Sequence, residues 1–234
     1  MAERMNKDLW IDTRLNQEEM DYLWSAISEE NKEDAKKNLA GNISKSEQIK
    51  DKDNWFYENV LKECAETIYF KDWNNYYNVH VTKCIPPPVF TLDELWVNYQ
   101  KQHEFNPPRK HDGLYSFVVF MKIPTHWKEQ HALPISVNST IPSASNFMFV
   151  RSEKNNHYVY VDYFSLSPED EGRMLFFPAW LGHQVYPFYE CEEERVTISG
   201  NIRLYDPISE YKEKENMLKM SENNTKKIKE DLKK

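Results

Sequence analysis

The spacing of apolar positions changes along the chain from a helical repeat to the two-residue repeat of strands. After Asn16, a favourable helix-capping residue, Met20, Leu23, Trp24 and Ile27 recur every three or four positions. A helix is therefore predicted from Asn16. Residues 54–69 show the same repeat and predict a second amphipathic helix.

The remainder of the chain is predicted to be β-structure. Strands are expected over residues 95–100 and 115–123, in a hairpin formed by 147–151 and 158–164, and as three short strands within 171–201. Residues 125–145 are interpreted as a long loop. The predicted fold class is mainly β with N-terminal helices, and a closed barrel or jelly roll would bury so many short aromatic strands without leaving long edges.

This division gives three regions. Residues 1–72 are predicted to form a helical support region, residues 73–206 a β core, and residues 207–234 a charged tail. Residues 1–15 are interpreted as a lead-in, and the polar segment before residue 54 as an exposed connection.

Composition and charge limit the classes of partner and the cellular location that the sequence favours. The formal charge of −8 argues against a nucleic-acid partner, since phosphate binding normally needs a basic face. The three cysteines show no CxxC spacing and are expected to be reduced thiols. The charged N-terminus is not typical of a secretory signal, and no apolar run is long enough to span a membrane. The sequence predicts a soluble, cytoplasmic protein.

Candidate chemistry begins in the segment 171–201. His183 follows Pro178 and Gly182 and is expected to stand on a turn, and twelve residues later Arg195 begins a predicted strand. Arg195 shares one side of that strand with Thr197, so it could bind a carboxylate through two hydrogen bonds if that side lines a cavity. Taken alone, a turn histidine and a surface arginine are the simpler interpretation.

A second histidine in a matching context strengthens the functional interpretation. His111 and Asp112 lie between the turn-forming Pro107 and Pro108 and the start of a strongly apolar strand. Strands that are distant in sequence lie side by side in a jelly roll, so His111 and His183 could share one metal ion. A facial triad for Fe(II) consists of two histidines and one carboxylate, with open positions for a co-substrate and O₂.

Four segments resemble a known family. LAGNISKS, NWFYENVL, WVNYQKQHEFNPPRKHDGLYSFVVFMKIP and LFFPAWLGHQVYPFYECEEERVTISGN are similar to the Fe(II)/2-oxoglutarate-dependent oxygenases of many marine bacteriophages and bacteria, in a prolyl-hydroxylase-like branch. The resemblance covers residues 39–204. It implies a double-stranded β-helix core over 73–206 and the cofactors Fe(II), 2-oxoglutarate and O₂.

The resemblance also implies roles for individual residues. His183 corresponds to the distal iron ligand, and Arg195, with Thr197 beside it, to the group that binds the outer carboxylate of 2-oxoglutarate. Tyr99 lies where a tyrosine often helps to hold the co-substrate. Trp180, Tyr186, Phe188 and Tyr115 are candidates to line the pocket, although each is explained more simply as an ordinary core residue.

The chain departs from the family pattern at the proximal ligands. None of the seven histidines is followed two positions later by Asp or Glu. Family members nearest to this pattern show His-x-His, where this chain has Arg109-Lys110-His111, and a guanidinium is not a metal ligand. Three interpretations remain open: iron held by His111, Asp112 and His183; iron held by His111 and His183 with water or a carboxylate from elsewhere; or a degenerate site.

The leading functional hypothesis is a dioxygenase that couples 2-oxoglutarate decarboxylation to hydroxylation of a C–H bond in a protein side chain or a small molecule. The alternatives are a catalytically degenerate jelly-roll binding module and a phage-associated structural or assembly protein. A phage protein would act in the host cytoplasm.

Overall fold

The structure is a computed structural model, and it describes residues 9–29, 32–35, 41–77, 89–152 and 159–205. It contains three α-helices and ten strands within these ranges. The helices are α1 (Gln17–Ser28), α2 (Lys62–Tyr77) and α3 (Trp127–Ala132), and the strands are β1 (Ile11–Arg14), β2 (Lys45–Gln48), β3 (Phe90–Gln100), β4 (Asn106–Arg109), β5 (Tyr115–Lys122), β6 (Phe147–Ser152), β7 (Val159–Phe164), β8 (Arg173–Pro178), β9 (Gly182–Val185) and β10 (Arg195–Leu204).

Helix α1 begins where the capping pattern predicts. The side chain of Asn16 accepts a hydrogen bond from the backbone N–H of Glu19 (3.0 Å), and the Glu19 carboxylate accepts one from the N–H of Asn16 (2.8 Å). This reciprocal capping box satisfies two donors that the first turn leaves without intrahelical partners. Leu23 and Ile27 on the apolar stripe are buried.

The second predicted helix is confirmed and is longer than expected. A 3₁₀ turn (Lys52–Asn54) and a π-helical turn (Tyr57–Leu61) lead into α2, which continues to Tyr77. The Asp51 carboxylate accepts hydrogen bonds from the backbone N–H groups of Phe56 and Tyr57, both at 2.9 Å. These bonds stabilise the beginning of this helical stretch.

All strand pairs are antiparallel, and they form two sheets. The larger sheet has the order β1-β8-β5-β10-β3-β2, and the smaller has the order β4-β9-β6-β7. In the larger sheet β10, the last strand, lies between β3 and β5, so strands distant in sequence are neighbours. This arrangement is a jelly roll, which confirms the predicted fold class.

Four local expectations were wrong. The lead-in contains β1, which pairs with β8, and the polar segment contains β2, which pairs with β3. The predicted loop over 125–145 contains α3, and His183 lies within β9 rather than on a turn. Both missed strands are short, polar edge strands, stabilised by pairing with a neighbour rather than by an apolar pattern of their own.

Apolar side chains form two separate cores on the two faces of the larger sheet. The first core lies between α1, the helical residues 55–69 and the sheet, and the second fills the space between the two sheets. Layers therefore follow in the order helices, large sheet, small sheet. The second core includes Val118, Phe120, Ile123, Phe147, Phe149, Phe164, Leu166, Leu175, Phe177 and Leu181.

Some predictions lie outside the described residues, namely the charged tail over 207–234 and the hairpin turn around 154–156. Of the described helices, none has the length and apolar character needed to cross a membrane.

Candidate functional site

A cavity opens between the two sheets, beside the second core. Strand β10 contributes Arg195, Thr197 and Ser199 from the larger sheet, as the alternation along this strand predicts. Val196 and Ile198 point to the opposite side and pack in the first core. The remaining polar and basic side chains that line the cavity are Asn98 and Gln100 of β3, Asn106 and Arg109 of β4, His111, and His183 of β9.

The structure brings His111 and His183 together. Their Nε2 atoms are 3.2 Å apart, and their rings are nearly parallel with centroids 4.9 Å apart. His183 is held by β9, which pairs with β4 on one side and β6 on the other. His111 lies just beyond β4, where its backbone N–H donates to the Ala179 carbonyl oxygen at 2.9 Å.

Hydrogen bonding and burial define the protonation of this pair. The Nδ1 of His183 donates to the carbonyl oxygen of Leu181 at 3.1 Å, because a carbonyl can only accept. The neutral His183 ring therefore presents the lone pair of Nε2 to His111. Burial is the main cause that lowers the pKa of both histidines, and the cation of Arg109 lowers them further. Both rings are neutral at physiological pH, as metal ligands must be.

Arg195 is an internal cation with only neutral partners. It is 1% exposed, and its Nη2 donates to the carbonyl oxygen (3.0 Å) and the hydroxyl of Ser145. Nη1 lies 3.4 Å from the Gln100 Oε1, the Phe188 ring lies 5.2 Å from the guanidinium carbon, and Nε has no hydrogen-bond partner. Burial lowers the pKa of Arg195 to about 10, so the side chain is still charged at neutral pH.

Arg109 is a second guanidinium in the same cavity. It lies at the end of β4, an edge strand that tolerates Pro107 and Pro108 because edge positions need not donate to a neighbouring strand. It stands opposite His183 in the strand register. Its Nε and Nη1 atoms are buried without a hydrogen-bond partner. Burial lowers its pKa to about 10, and it too is charged at neutral pH.

The cavity carries positive charge without a protein counter-ion. Of the described residues that line it, none is acidic. Burying a cation without an anionic partner costs several kcal/mol, roughly, so both guanidinium groups favour an anionic ligand. A carboxylate suits this role, since it accepts the paired N–H groups of arginine. The charge of these residues therefore matches the dianion 2-oxoglutarate.

The fit to Fe(II) is partial. Two nitrogens bound to one metal at about 2.1 Å and roughly a right angle are about 3 Å apart, which matches the separation of the two Nε2 atoms. Within the described ranges, however, no three His, Cys, Asp or Glu side chains come together as a metal-binding group. Asp112 is exposed and does not line the cavity. Two candidate ligands, His111 and His183, therefore come together, and Arg109 lies beside them.

Other candidates lie apart from the cavity. Tyr99 is on the face of β3 opposite Asn98 and Gln100, where the ammonium group of Lys45 lies 4.1 Å from the centroid of its ring. Trp180 and Tyr186 are exposed. Phe188 is buried and packs on Arg195, and Tyr115 is buried in the first core.

Two polar contacts of Arg195 were not predicted from the sequence. Gln100 follows Asn98 by two positions on β3, so the strand alternation could have placed both on the side of Arg195. Ser145 lies in an irregular connection with φ of 68°. No local pattern indicated that it would reach Arg195.

Comparison with known proteins agrees with this geometry. Residues 94–201, a little under half of the chain, match the model of the family described as "Putative 2OG-Fe(II) oxygenase". This segment contains His111, His183 and Arg195, together with both faces of the cavity. No curated protein matches the sequence.

Solved structures share the general fold at low identity. The viral collagen prolyl hydroxylase of Paramecium Bursaria Chlorella virus-1 is 14% identical, with a TM-score of 0.48 over 85% of this chain and 98% of that one. A prolyl-4-hydroxylase from Pseudomonas putida is 12% identical, with a TM-score of 0.47 over 86% and 95% of the two chains. Likenesses at this level add nothing to the functional assignment.

The assignment therefore rests on the family match and on the cavity. Residues 94–201 are thus similar to the 2-oxoglutarate- and Fe(II)-dependent oxygenases, an enzyme class whose cofactors are Fe(II), 2-oxoglutarate and O₂.

Proposed function

We propose that this chain hydroxylates a C–H bond in a protein side chain or small molecule, with 2-oxoglutarate bound in the cavity through Arg195. The observation that carries the proposal is the buried Arg195, which has only neutral partners and lies in the same cavity as the His111–His183 pair. The resemblance of the sequence to phage and marine-bacterial oxygenases supports placing the chain in that prolyl-hydroxylase-like branch, with a cytoplasmic location.

The side chains that line the cavity divide between binding the co-substrate and binding the metal. Arg195 binds the outer carboxylate of 2-oxoglutarate, and the hydroxyl of Thr197, which lines the cavity from the same strand, lies on the same side. His111 and His183 would hold Fe(II). With 2-oxoglutarate and O₂, the bound metal supplies oxidative decarboxylation to succinate and CO₂ coupled to hydroxylation of the substrate.

The surrounding side chains prepare this site. Phe147 and Phe177 pack beside His183, with ring centroids 5.9 and 5.1 Å from it, and they keep water from one side of the pair. The hydrogen bond from His183 to the Leu181 carbonyl oxygen orients the ring so that Nε2 faces the cavity.

Succinate formation tests the proposal. The protein is purified without oxygen, loaded with Fe(II) and 2-oxoglutarate, exposed to O₂, and assayed for succinate. We expect slow uncoupled turnover by the wild type and its loss in His183→Asn. His103→Asn makes the same chemical change at an exposed position and is expected to behave as the wild type.

Two outcomes of the succinate assay would contradict the proposal. Folded wild-type protein that forms no more succinate than a protein-free blank would overturn the oxygenase proposal and leave a carboxylate-binding module. Equal succinate formation by His183→Asn and the wild type, both above the blank, would remove His183 from the site.

A further inference from the structure

We infer that Arg109 is a second carboxylate clamp, and that the cavity binds a five-carbon dicarboxylate between Arg109 and Arg195 even when no metal is present. This inference rests on the proposed function for the identity of the pocket and of its ligand. It adds a binding role for the residue that stands where the family pattern has a ligand.

The two arginines reach the cavity from facing sheets. Arg195 belongs to β10 in the larger sheet, and Arg109 belongs to β4 in the smaller one. A ligand lying between the sheets can therefore meet one guanidinium at each end. A dicarboxylate has the matching arrangement of charge, with an anionic group at both ends of a short chain.

Unused donors show where the carboxylates would bind. Nε of Arg195, and Nε and Nη1 of Arg109, are buried without an acceptor. Buried polar atoms in folded proteins are nearly always paired, and leaving a charged donor without a partner is especially costly. A carboxylate at each guanidinium would give an acceptor to Nε of Arg195 and to one of the two open donors of Arg109, which lie on different edges of its guanidinium.

Arg109 is held in the cavity by its neighbours. The backbone of Gly41 lies so close that an added Cβ would be 1.6 Å from Oδ1 of Asn106 and 3.1 Å from Nη1 of Arg109. Gly41 therefore packs closely against Arg109 and Asn106. A guanidinium retained by such packing, with no acidic residue among the described lining, is placed to receive a ligand rather than to pair with the protein.

Arg109 also changes how the co-substrate is positioned relative to the two histidines. In a facial triad the third protein ligand is a carboxylate, and the co-substrate completes the remaining sites. Here position 109, where the nearest family members have a histidine ligand, carries a cation that attracts the near carboxylate of the ligand itself. The chain would thus position 2-oxoglutarate by two guanidinium groups before any metal contributes.

Calorimetric titration of metal-free protein tests the inference. EDTA-treated full-length protein is titrated with 2-oxoglutarate, with glutarate, and with pentanoate, which has the length of glutarate but only one carboxylate. Wild type is expected to bind both dicarboxylates, and to bind glutarate at least tenfold more tightly than pentanoate.

Matched variants assign the second carboxylate to Arg109. Arg109→Gln is expected to weaken glutarate binding at least tenfold and to bring it to the level of pentanoate. Lys110→Gln removes the same charge from the next, exposed residue and is expected to bind within twofold of the wild type. Circular dichroism confirms that both variants are folded.

The outcomes separate this inference from the proposed function. Equal affinities of wild type and Arg109→Gln for glutarate, or no dicarboxylate binding without metal, would overturn the inference. Succinate formation by the Fe(II)-loaded wild type would still stand in either case. Loss of succinate formation with intact metal-free binding would instead refute the oxygenase and leave the two-arginine clamp.

Discussion

At the scale of single residues, the cavity is defined by buried positive charges that have no negatively charged partner among the described lining residues. Two guanidinium groups and two neutral imidazoles line it without an acidic partner among the described residues. His111, His183 and Arg195 could be singled out from the sequence because each stands in a recognisable turn or strand context. Ser145 could not, since its contact with Arg195 depends on an irregular connection fifty residues away.

The position of Arg109 yields a direct prediction. Residues 109 and 111 are separated by two positions, and Arg109 faces His183 across the strand pair, so a histidine at 109 would face the same centre. We expect Arg109→His to bind Fe(II) at least tenfold more tightly than the wild type, because a third neutral ligand replaces a cation. Anaerobic equilibrium dialysis with metal analysis measures the affinity.

A companion variant tests whether a gain in Fe(II) affinity comes from the position of the new histidine or from the loss of a positive charge. Lys110→His also replaces a cation by histidine, but at an exposed position, and should leave the Fe(II) affinity within twofold of the wild type. No gain in Arg109→His would mean that position 109 does not face the metal site.

At the scale of secondary-structure elements, long elements with a clear repeat were predictable, and short polar ones were not. The stripe of α1 reflects burial on one side, and the alternation of β10 reflects an apolar core on one face and a polar cavity on the other. Strands β1 and β2, IDTR and KSEQ, carry little apolar pattern. They form because sheet edges offer unpaired backbone groups, reinforced by contacts such as Asp12 with Arg173 (2.6 Å) and Ser46 with Asn98 (2.7 Å).

Strand β10 depends on the absence of a side chain at one position. A Cβ on Gly200 would lie 2.6 Å from the carbonyl oxygen of Glu94 and 2.7 Å from ring atoms of Phe117. Since β10 lies between β3 and β5, the backbone cannot move away on either side. We expect Gly200→Ala to lower the free energy of unfolding by about 1–3 kcal/mol, measured by urea denaturation. Ser152→Ala, at an exposed strand end, should change it by less than about 0.5 kcal/mol.

A result for Gly200→Ala as small as that for Ser152→Ala would show that the strand can accommodate the methyl group. The close approach of β3 and Phe117 to β10 would then not be a constraint on this fold.

The packing of helix α2 against the first core can be tested through the reactivity of Cys64. Cys64 is partly buried against the first core, and burial raises the pKa of its thiol to about 11. Because the pKa is raised, the reactive thiolate is scarce at pH 8 and increases only as the pH approaches 11. We expect alkylation of Cys64 by iodoacetamide at pH 8 to be about a hundredfold slower than in urea, where the thiol has an ordinary pKa.

Peptide mapping by mass spectrometry follows this reaction at Cys64. Equal rates in native buffer and in urea would show that the helix does not shield Cys64 and would contradict its packing against the first core.

At the scale of the whole molecule, the site exists because two sheets close on each other. His183, Arg109 and Arg195 are far apart in sequence or on different sheets, and no local pattern places them in one cavity. A jelly roll brings strands that are distant in sequence close together. Here the strands β3-β10-β5-β8 of the larger sheet face the strands β4-β9-β6-β7 of the smaller sheet, and the cavity lies between them. The cost of gathering these cations is balanced across the molecule by two apolar cores on either side of the larger sheet.

The most direct test of the account is the binding of 2-oxoglutarate to the Fe(II)-loaded protein and to Arg195→Gln under anaerobic conditions. Arg195→Gln is expected to weaken 2-oxoglutarate binding by about a hundredfold, since a buried charge-assisted pair is lost, and to change Fe(II) affinity less than threefold. Arg203→Gln, on the same strand but paired at the surface with Asp93, serves as the control and should bind as the wild type. Unchanged 2-oxoglutarate binding by folded Arg195→Gln, or an equal loss of both affinities, would contradict the account.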